Sequence, residues 1–415
     1  MAKRSVGSRQ LLVDECTVPK ELPFPKSEFN ARLKSIRAKM VEKGIDLLFL
    51  SSPESLFYAC GYKAEWYQAQ SPKDWLPAGG AAIRTDRDGL ILFDTDDEEL
   101  MCRCETSADD IRIWTDDMHV PMNSWVEREL KEEGWLSGTV GLEFWSYRPN
   151  RAVSEMFQSM LESKGCKVVD GSDIVRDLRL IKSGRELKCV ERAAAIADIG
   201  MRAAMESIRP GTTELEAYGE IIRAMARAGG ENPAITIPVI SGSRSARGHA
   251  LATRKKIARG EIVNVDLCGV YNRYHSNLAR TFSVGRPDPE VESVVNKSAG
   301  SFEALQGLLS PNLAVADLLQ WMEAYYRDHG ILRDRMWFGG YELGISFPPD
   351  WVGAFVYDRT LDVTGKRFVP GMVVNYESNF FLPKKAGASL LINTLVFRKN
   401  SASMVGGIPN DLIVL

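Results

Sequence analysis

Residues 261 to 282 read Glu261-Ile-Val-Asn-Val-Asp266-Leu-Cys-Gly-Val-Tyr-Asn-Arg-Tyr-His275-Ser-Asn277-Leu-Ala-Arg280-Thr-Phe282. Two arms rich in β-branched and aromatic residues flank a turn near Tyr271-Asn272-Arg273, which predicts a hairpin. If side chains alternate along the first arm, Asp266 faces away from Val263, Val265 and Leu267, so a carboxylate stands in mid-strand. Periodicity alone reads such an Asp as an edge or outer-face residue at least as readily as a functional one.

Outward from the hairpin, the second half of the chain alternates helix pairs with strands. Ser183-Gly-Arg-Glu186 is a capping box opening a long helix with apolar residues from Leu187 to Ile208, and Thr213-x-x-Glu216 caps a second one ending at Gly229-Gly230. Strand-like segments are expected at 234–241, 248–253, 261–270 and 274–284. Helices at about 288–308 and 314–328 then precede strands at about 341–347, 371–381 and 389–398. Two similar halves of this kind predict an α+β domain with an antiparallel sheet and helices on one side. The first half is α/β: a helical stripe Phe29, Leu33, Ile36, Met40 stops at Gly44 before the buried run Leu47-Leu48-Phe49-Leu50. Further strands are expected at 81–84, 90–93, 111–115 and 140–143, with a helix over 151–163. The expected domains are 1–172 and 173–415.

With 415 residues, two domains are the natural expectation. The net charge of −3, from 52 basic and 55 acidic residues, gives no field drawing the whole molecule to nucleic acid or acidic lipid. No apolar run approaches the roughly 18 residues of a membrane span, and the start, Met1-Ala-Lys-Arg-Ser-Val-Gly-Ser8, has positive charge without an apolar segment behind it. Seven cysteines at 16, 60, 102, 104, 166, 189 and 268 are odd in number and scattered, which suits a reducing compartment. A cytoplasmic protein with no nucleic-acid or membrane partner is expected. Phosphate-loop, dinucleotide, serine-elbow and zinc-protease motifs are missing from the sequence.

Only four histidines, 119, 249, 275 and 329, are available for imidazole chemistry. A histidine near its ordinary pKa of about 6.5 can take a proton from water and return it to a leaving nitrogen. His249 and His275 lie in or near the strand-rich segment, whereas His119 and His329 sit in connector or helix-end contexts. From Asn232 to Gly260 there is no acidic residue, and Arg244, Arg247, Arg254, Lys255, Lys256 and Arg259 supply positive charge. Such a run reads as a solvated loop, or as the source of one arginine that clamps a substrate carboxylate.

The hairpin resembles the creatinase, prolidase and methionine aminopeptidase superfamily, whose pattern is D-x-G-x(5)-Y-x-S-D-x-T-R-T-F. Supporting it are Arg179-Leu-Ile-Lys-Ser183, Pro370-Gly-Met-Val-Val-Asn-Tyr-Glu377 and Asp46-Leu-Leu-Phe-Leu followed by Leu56-Phe-Tyr-Ala-Cys-Gly61. The resemblance implies a creatinase-type N-terminal domain, a "pita-bread" C-terminal domain and a homodimer. It places the aromatic pair Trp66-Tyr67 where the N-terminal domain reaches the partner's site. The superfamily's peptidases hold two metals with Asp, Asp, His, Glu and Glu; here those positions read Asp266, Asn277, Tyr341, Glu377 and Ile392. Three of these five cannot replace the anionic or imidazole ligands, so no metal and no other cofactor is expected.

The sequence is similar to the superfamily's metal-free branch, creatinase and ectoine hydrolase. Gly248-His249-Ala250 with Thr253-Arg254-Lys255 resembles the creatinase histidine segment. Gly340-Tyr341-Glu-Leu-Gly344-Ile-Ser-Phe-Pro-Pro-Asp350-Trp351 and Gly269-Val-Tyr-Asn-Arg-Tyr-His275 resemble segments of ectoine hydrolase. The resemblance implies hydrolysis of a C–N bond in a small zwitterion, with His249, Glu377 and Asp266 catalytic. Tyr341, Asn277, His275, Arg280, Asp350, Trp351, Trp66 and Tyr67 are the expected substrate contacts. A lyase using the same pocket, a metal-dependent Xaa-Pro peptidase and a non-catalytic binding protein are the alternatives.

Overall fold

The computed structural model describes residues 13, 20–63, 79–115, 118 and 120–415. It separates into two compact units, one ending at Leu178 and one running from Arg179 to Leu415. The division falls a few residues beyond the expected 172/173 boundary, within a helix, Ser172–Leu180.

In the first unit a sheet of β1 (Leu47–Leu50), β2 (Gly80–Arg84), β3 (Ile91–Thr95), β4 (Asp110–Trp114), β5 (Thr139–Leu142) and β6 (Lys167–Asp170) has the order β4-β3-β2-β1-β5-β6. β1, β5 and β6 run parallel, as do β3 and β4, while β2 is antiparallel to both its neighbours. Helix α1 (Lys26–Lys43) buries Phe29, Leu33, Ile36 and Met40 and ends at Gly44, whose φ of 65° is the left-handed conformation glycine adopts without strain. Helices α2 (Pro53–Cys60), α3 (Glu99–Glu105), α4 (Met122–Glu132), α5 (Arg151–Ser163) and α6 (Ser172–Leu180) complete the set described for this unit. The core is Leu47, Phe49, Phe93, Trp125, Leu130, Val140 and Leu142.

In the second unit, α7 (Gly184–Ser207) and α8 (Glu214–Arg227) both begin with the expected capping boxes, in which Ser183 and Thr213 accept from the backbone of Glu186 and Glu216. Helices α9 (Pro289–Gln306) and α10 (Val315–Asp328) form the second pair. The strands are β7 (Val239–Ser241), β8 (Ile262–Tyr271), β9 (Tyr274–Ser283), β10 (Arg335–Tyr341), β11 (Val356–Asp358), β12 (Val373–Leu382), β13 (Gly387–Ser389), β14 (Ile392–Phe397), β15 (Ala402–Val405) and β16 (Ile413–Val414). The sheet's main path runs β11-β10-β12-β14-β9-β8-β7 and is antiparallel along its whole length. Val263, Val265, Leu267, Leu278 and Phe282 pack with α7 and α8, while Val374, Tyr376, Phe380, Leu395 and Phe397 pack with α9 and α10. By strand alternation the residues between them line the opposite face.

Two expected strands are corrected. Residues 248–253 form no strand; they lie in a connection tied to the start of α8. The strand expected over 341–347 is instead β10, Arg335–Tyr341. Gly339-Gly340 breaks the apolar pattern there, yet Gly340 is needed: a Cβ on it would collide with the Asn375 carbonyl and the Tyr357 hydroxyl. Among the described residues no helix is long and apolar enough to cross a membrane.

Candidate active site

The sheet register puts Asp266 opposite Ala279, Ala279 opposite Ile392 and Ile392 opposite Glu377. Facing residues of an antiparallel pair share a side, so the two carboxylates stand on the helix-free face in one row, with Ala279 and Ile392 between them. Alternation along β12 adds Asn375 and Asn379 to that face.

A chain of amides joins the carboxylates. Asn277 Nδ2 donates to Asp266 Oδ1 at 2.8 Å and to the Leu267 carbonyl at 3.1 Å. Asn375 Nδ2 donates to Asn277 Oδ1 at 3.1 Å and to Glu377 Oε1 at 2.8 Å. Asn379 Nδ2 donates to Glu377 Oε2 at 2.8 Å, and its own Oδ1 accepts from the Leu391 N–H at 3.1 Å. Tyr341 closes the group: its N–H donates to Asn375 Oδ1 at 2.7 Å, and Trp351 Nε1 donates to its hydroxyl at 3.1 Å. That hydroxyl lies a long 3.5 Å from Asn277 Oδ1.

Burial raises both carboxyl pKa values. Glu377 is pushed up to about 8, first by burial and then by the charge of Asp266, against hydrogen bonds from Asn375, Asn379 and Tyr341 that favour the ionised form. Asp266 rises to about 6 by burial, with the Asn277 hydrogen bond and, to a lesser degree, the electrostatic influence of His249 pulling it back. Burial and the nearby Glu377 and Asp266 charges hold the Tyr341 phenol well above its ordinary value, so it stays a neutral hydroxyl. His249 lies on the 242–261 connection between β7 and β8 and is exposed, within electrostatic reach of Asp266.

Asp266, Asn277, Tyr341, Trp351 and Glu377 are thus brought together, and three other expected contacts are corrected. His275 is fully buried: its Nε2 accepts from the Ala234 N–H at 3.1 Å and its Nδ1–H donates to the Arg273 carbonyl at 2.9 Å. Burial, with the charge of Arg273, drives its pKa down to about 3, so it is a neutral structural ring. Arg280 is equally buried and donates to the carbonyls of Ala279, Ile392, Ile408 and Pro409, stapling the C-terminal segment to β9 rather than meeting a ligand. Asp350 is exposed and accepts from the Val352 N–H at 3.0 Å, bracing the turn that carries Trp351. Trp66, Tyr67 and His119 lie outside the described residues. In the basic run, Arg244 pairs with Glu214 and Lys255 with Glu261, which leaves the exposed Arg247, Arg254 and Arg259 as the arginines placed to clamp a carboxylate. Asn375 and Asn379 were not expected, although their alternate spacing around Glu377 was a readable signal.

The model of the metallopeptidase family M24 matches residues 188–399, and that of the creatinase/prolidase N-terminal domain matches residues 32–181. The chain belongs to family M24. Among relatives of this M24 chain, the Xaa-Pro dipeptidase of Pyrococcus furiosus is 26% identical over 92% of the chain and 99% of that protein. The ectoine hydrolase of Halomonas elongata is 28% identical, over 86% of the chain and 90% of that protein. The solved Xaa-Pro dipeptidase from Bacillus anthracis superposes with a TM-score of 0.74 at 21% identity, covering 93% of this chain and all of that one, which speaks for a common fold.

The family name implies metal, and the residues present do not fit it. Among the described residues no group of three or more His, Cys, Asp or Glu is arranged to hold an ion. Amide N–H groups point at both oxygens of Glu377 and at one of Asp266, and the remaining polar atoms are amides and a phenol. Such a donor set lacks the deprotonated ligands that a pair of divalent cations requires.

Proposed function

We propose that this M24 chain is a metal-independent hydrolase that breaks a C–N bond in a small zwitterion bearing an amidinium, guanidinium or cyclic amide. The single observation that carries the reading is the carboxylate pair bridged by Asn277 and Asn375. A pair of carboxyls with raised pKa values, one buried and the other half-buried, gains most from a ligand that is cationic and rich in N–H donors. Ile392 and Ala279 offer hydrocarbon contact between the two, suited to the methylene body of such a compound.

In the reaction His249 takes a proton from water, and the water oxygen bonds to the amidinium carbon. The C–N bond then breaks, and His249 returns the proton to the departing nitrogen. Glu377 and Asp266 hold the cationic group during attack, Tyr341 donates a hydrogen bond to the oxygen or nitrogen beside it, and Arg247, Arg254 or Arg259 takes the carboxylate of the zwitterion. Similarity to an ectoine hydrolase over most of both chains supports this chemistry.

The Xaa-Pro dipeptidase reading is favoured by the Pyrococcus furiosus relative and opposed by the donor set. A thermal-shift screen of ectoines, creatine, cyclic amidines, betaines and N-acyl diamino acids should yield a ligand. Turnover of that ligand in water enriched in oxygen-18 should then place the label in the product without added metal. Cleavage of Xaa-Pro dipeptides that stops on chelation would overturn the proposal, and turnover without solvent oxygen in the product would replace hydrolysis with elimination. The protein is further proposed to be cytoplasmic, in keeping with cysteines odd in number and scattered along the sequence, and to work as a homodimer; a monomeric mass by light scattering at full activity would refute the dimer.

A further inference from the structure

The connection that carries His249 contains little regular structure, yet one side chain gathers both of its limbs. Glu214, the first residue of α8, is fully buried. Its Oε1 accepts from the backbone N–H of Ser241 at 2.9 Å and from the Ser241 hydroxyl at 2.8 Å. Its Oε2 accepts from the Thr253 N–H at 3.0 Å and the Thr253 hydroxyl at 2.8 Å, and also from Arg244 Nη1. Ser241 and Arg244 precede His249 and Thr253 follows it, so a single carboxylate spans the histidine from both sides. The backbone repeats the tie, with the N–H groups of Glu214 and Leu215 donating to the carbonyls of Lys255 and Thr253, each at 3.1 Å. Arg244 Nη2 fastens the segment again at the Leu251 carbonyl, 3.0 Å away.

This bonding is oriented toward the connection. A carboxylate in the first turn of a helix is favoured by the helix dipole. Burial alone would raise the pKa of Glu214, but hydrogen bonds from Ser241, Thr253 and Arg244 outweigh it and bring the carboxyl below its ordinary value. It is therefore a charged anchor at neutral pH, with contacts on both sides of the exposed histidine.

We propose that Glu214 is the positioning residue for His249, holding in place the 241–253 segment that carries the imidazole. This deepens the function proposed above and rests on His249 as the proton carrier. Glu214→Gln keeps the shape but turns one acceptor into an N–H donor, which then faces either Ser241 or the Thr253 and Arg244 donors. With four histidines in the chain, imidazole signals of histidine-labelled protein can be followed by NMR, the His249 signal being the one lost in His249→Ala.

In Glu214→Gln the His249 signals should shift or broaden while those of His275 and His329 stay in place; Glu220→Gln, on an exposed part of α8, should change none of them. With a turned-over substrate in hand, kcat should fall about 10–100-fold at nearly constant KM, the cost of misplacing a catalytic group by about an ångström. In a His249→Ala background the same substitution should cost nothing further, since coupled residues are not additive. Where Glu214→Gln does not fold, Thr253→Val, which deletes one donor, bears the same NMR test. Unmoved His249 signals, or an undiminished loss in the His249→Ala background, would overturn the proposal. Wild-type turnover by His249→Ala would instead sink the proton-carrier role and leave the NMR result to stand or fall separately.

Discussion

Glu377 is held near pKa 8 by burial and by the charge of Asp266, so at neutral pH it keeps a proton that the unfolded chain, with a carboxyl near 4.5, has already released. The folded value is the raised one; the stability it contributes is complete below about pH 4.5 and is lost as pH climbs through 8. Glu377→Gln removes the ionisation and keeps the size, but its NH2 replaces an oxygen that accepts from Asn375 or Asn379, a cost that does not depend on pH. Its melting temperature relative to the wild type should therefore rise by a few degrees between pH 5 and pH 9, by differential scanning fluorimetry; the same difference from the wild type at both pH values would contradict the burial argument. A cationic ligand works the other way, because it favours ionised Glu377. Binding at pH 7 should release a proton, visible as a buffer-dependent enthalpy in titration calorimetry, and Glu377→Gln should bind more weakly with no such release. His249→Ala should behave differently from both: turnover should drop by about 10²–10⁴, the usual value of general acid–base assistance, while ligand binding persists. Retention of wild-type turnover would move the catalytic centre elsewhere, and His275, with both ring nitrogens committed to the backbone, could not take over.

At the scale of elements, the two halves of the second unit each press a helix pair onto the sheet, and α7 comes close onto β8 at Gly269. A Cβ there would run into the backbone of Ala193 and Ala197, atoms that cannot swing aside as a side chain does. Gly269→Ala should destabilise by about 1–3 kcal/mol or more, the range for forced overpacking, and should be read as a lowered midpoint in urea; wild-type stability would mean that α7 is looser than described. The same elements show what periodicity can and cannot reveal. Helix α5 begins and ends where the apolar stripe over 151–163 does, and the capping boxes at Ser183 and Thr213 marked their helices because those hydrogen bonds are local. Strand β10 was displaced because Gly339-Gly340 serves a cross-strand approach that the local pattern does not encode. The amide bridge was only half legible: Asn277 stood out as a departure from an acidic position, whereas Asn375 and Asn379 gain their meaning from the pairing of β12 with β14 and β10. Glu214 was hidden for the same reason, since its partners Ser241 and Thr253 come to it only through the fold.

Across the whole molecule, domain order and fold class were open to the sequence because motifs stand in family order from one unit to the next. What an M24 fold does chemically is decided by a few side chains within it. At two positions where the resemblance expects metal ligands, an Asn and a Tyr present polar groups that need partners, and both find them: Asn277 donates its N–H to Asp266, and the Tyr341 hydroxyl accepts from the indole N–H of Trp351. The result is a satisfied network whose carboxylates are already hydrogen-bonded, and a divalent ion would have to break those bonds and be held by two carboxylates alone. The protein after mild purification should therefore hold less than one equivalent of Mn, Fe, Co or Zn by elemental analysis. Adding Mn²⁺ or Co²⁺ to millimolar levels should leave the melting temperature unchanged, whereas a site filled at about a hundred times its Kd would stabilise by about 2.7 kcal/mol. Co²⁺ should give no ligand-field bands of a protein-bound ion, and chelators should leave turnover intact. Stoichiometric metal together with inactivation by chelator would return the chain to the peptidases and would require Asn277 and Tyr341 to rearrange around the ion.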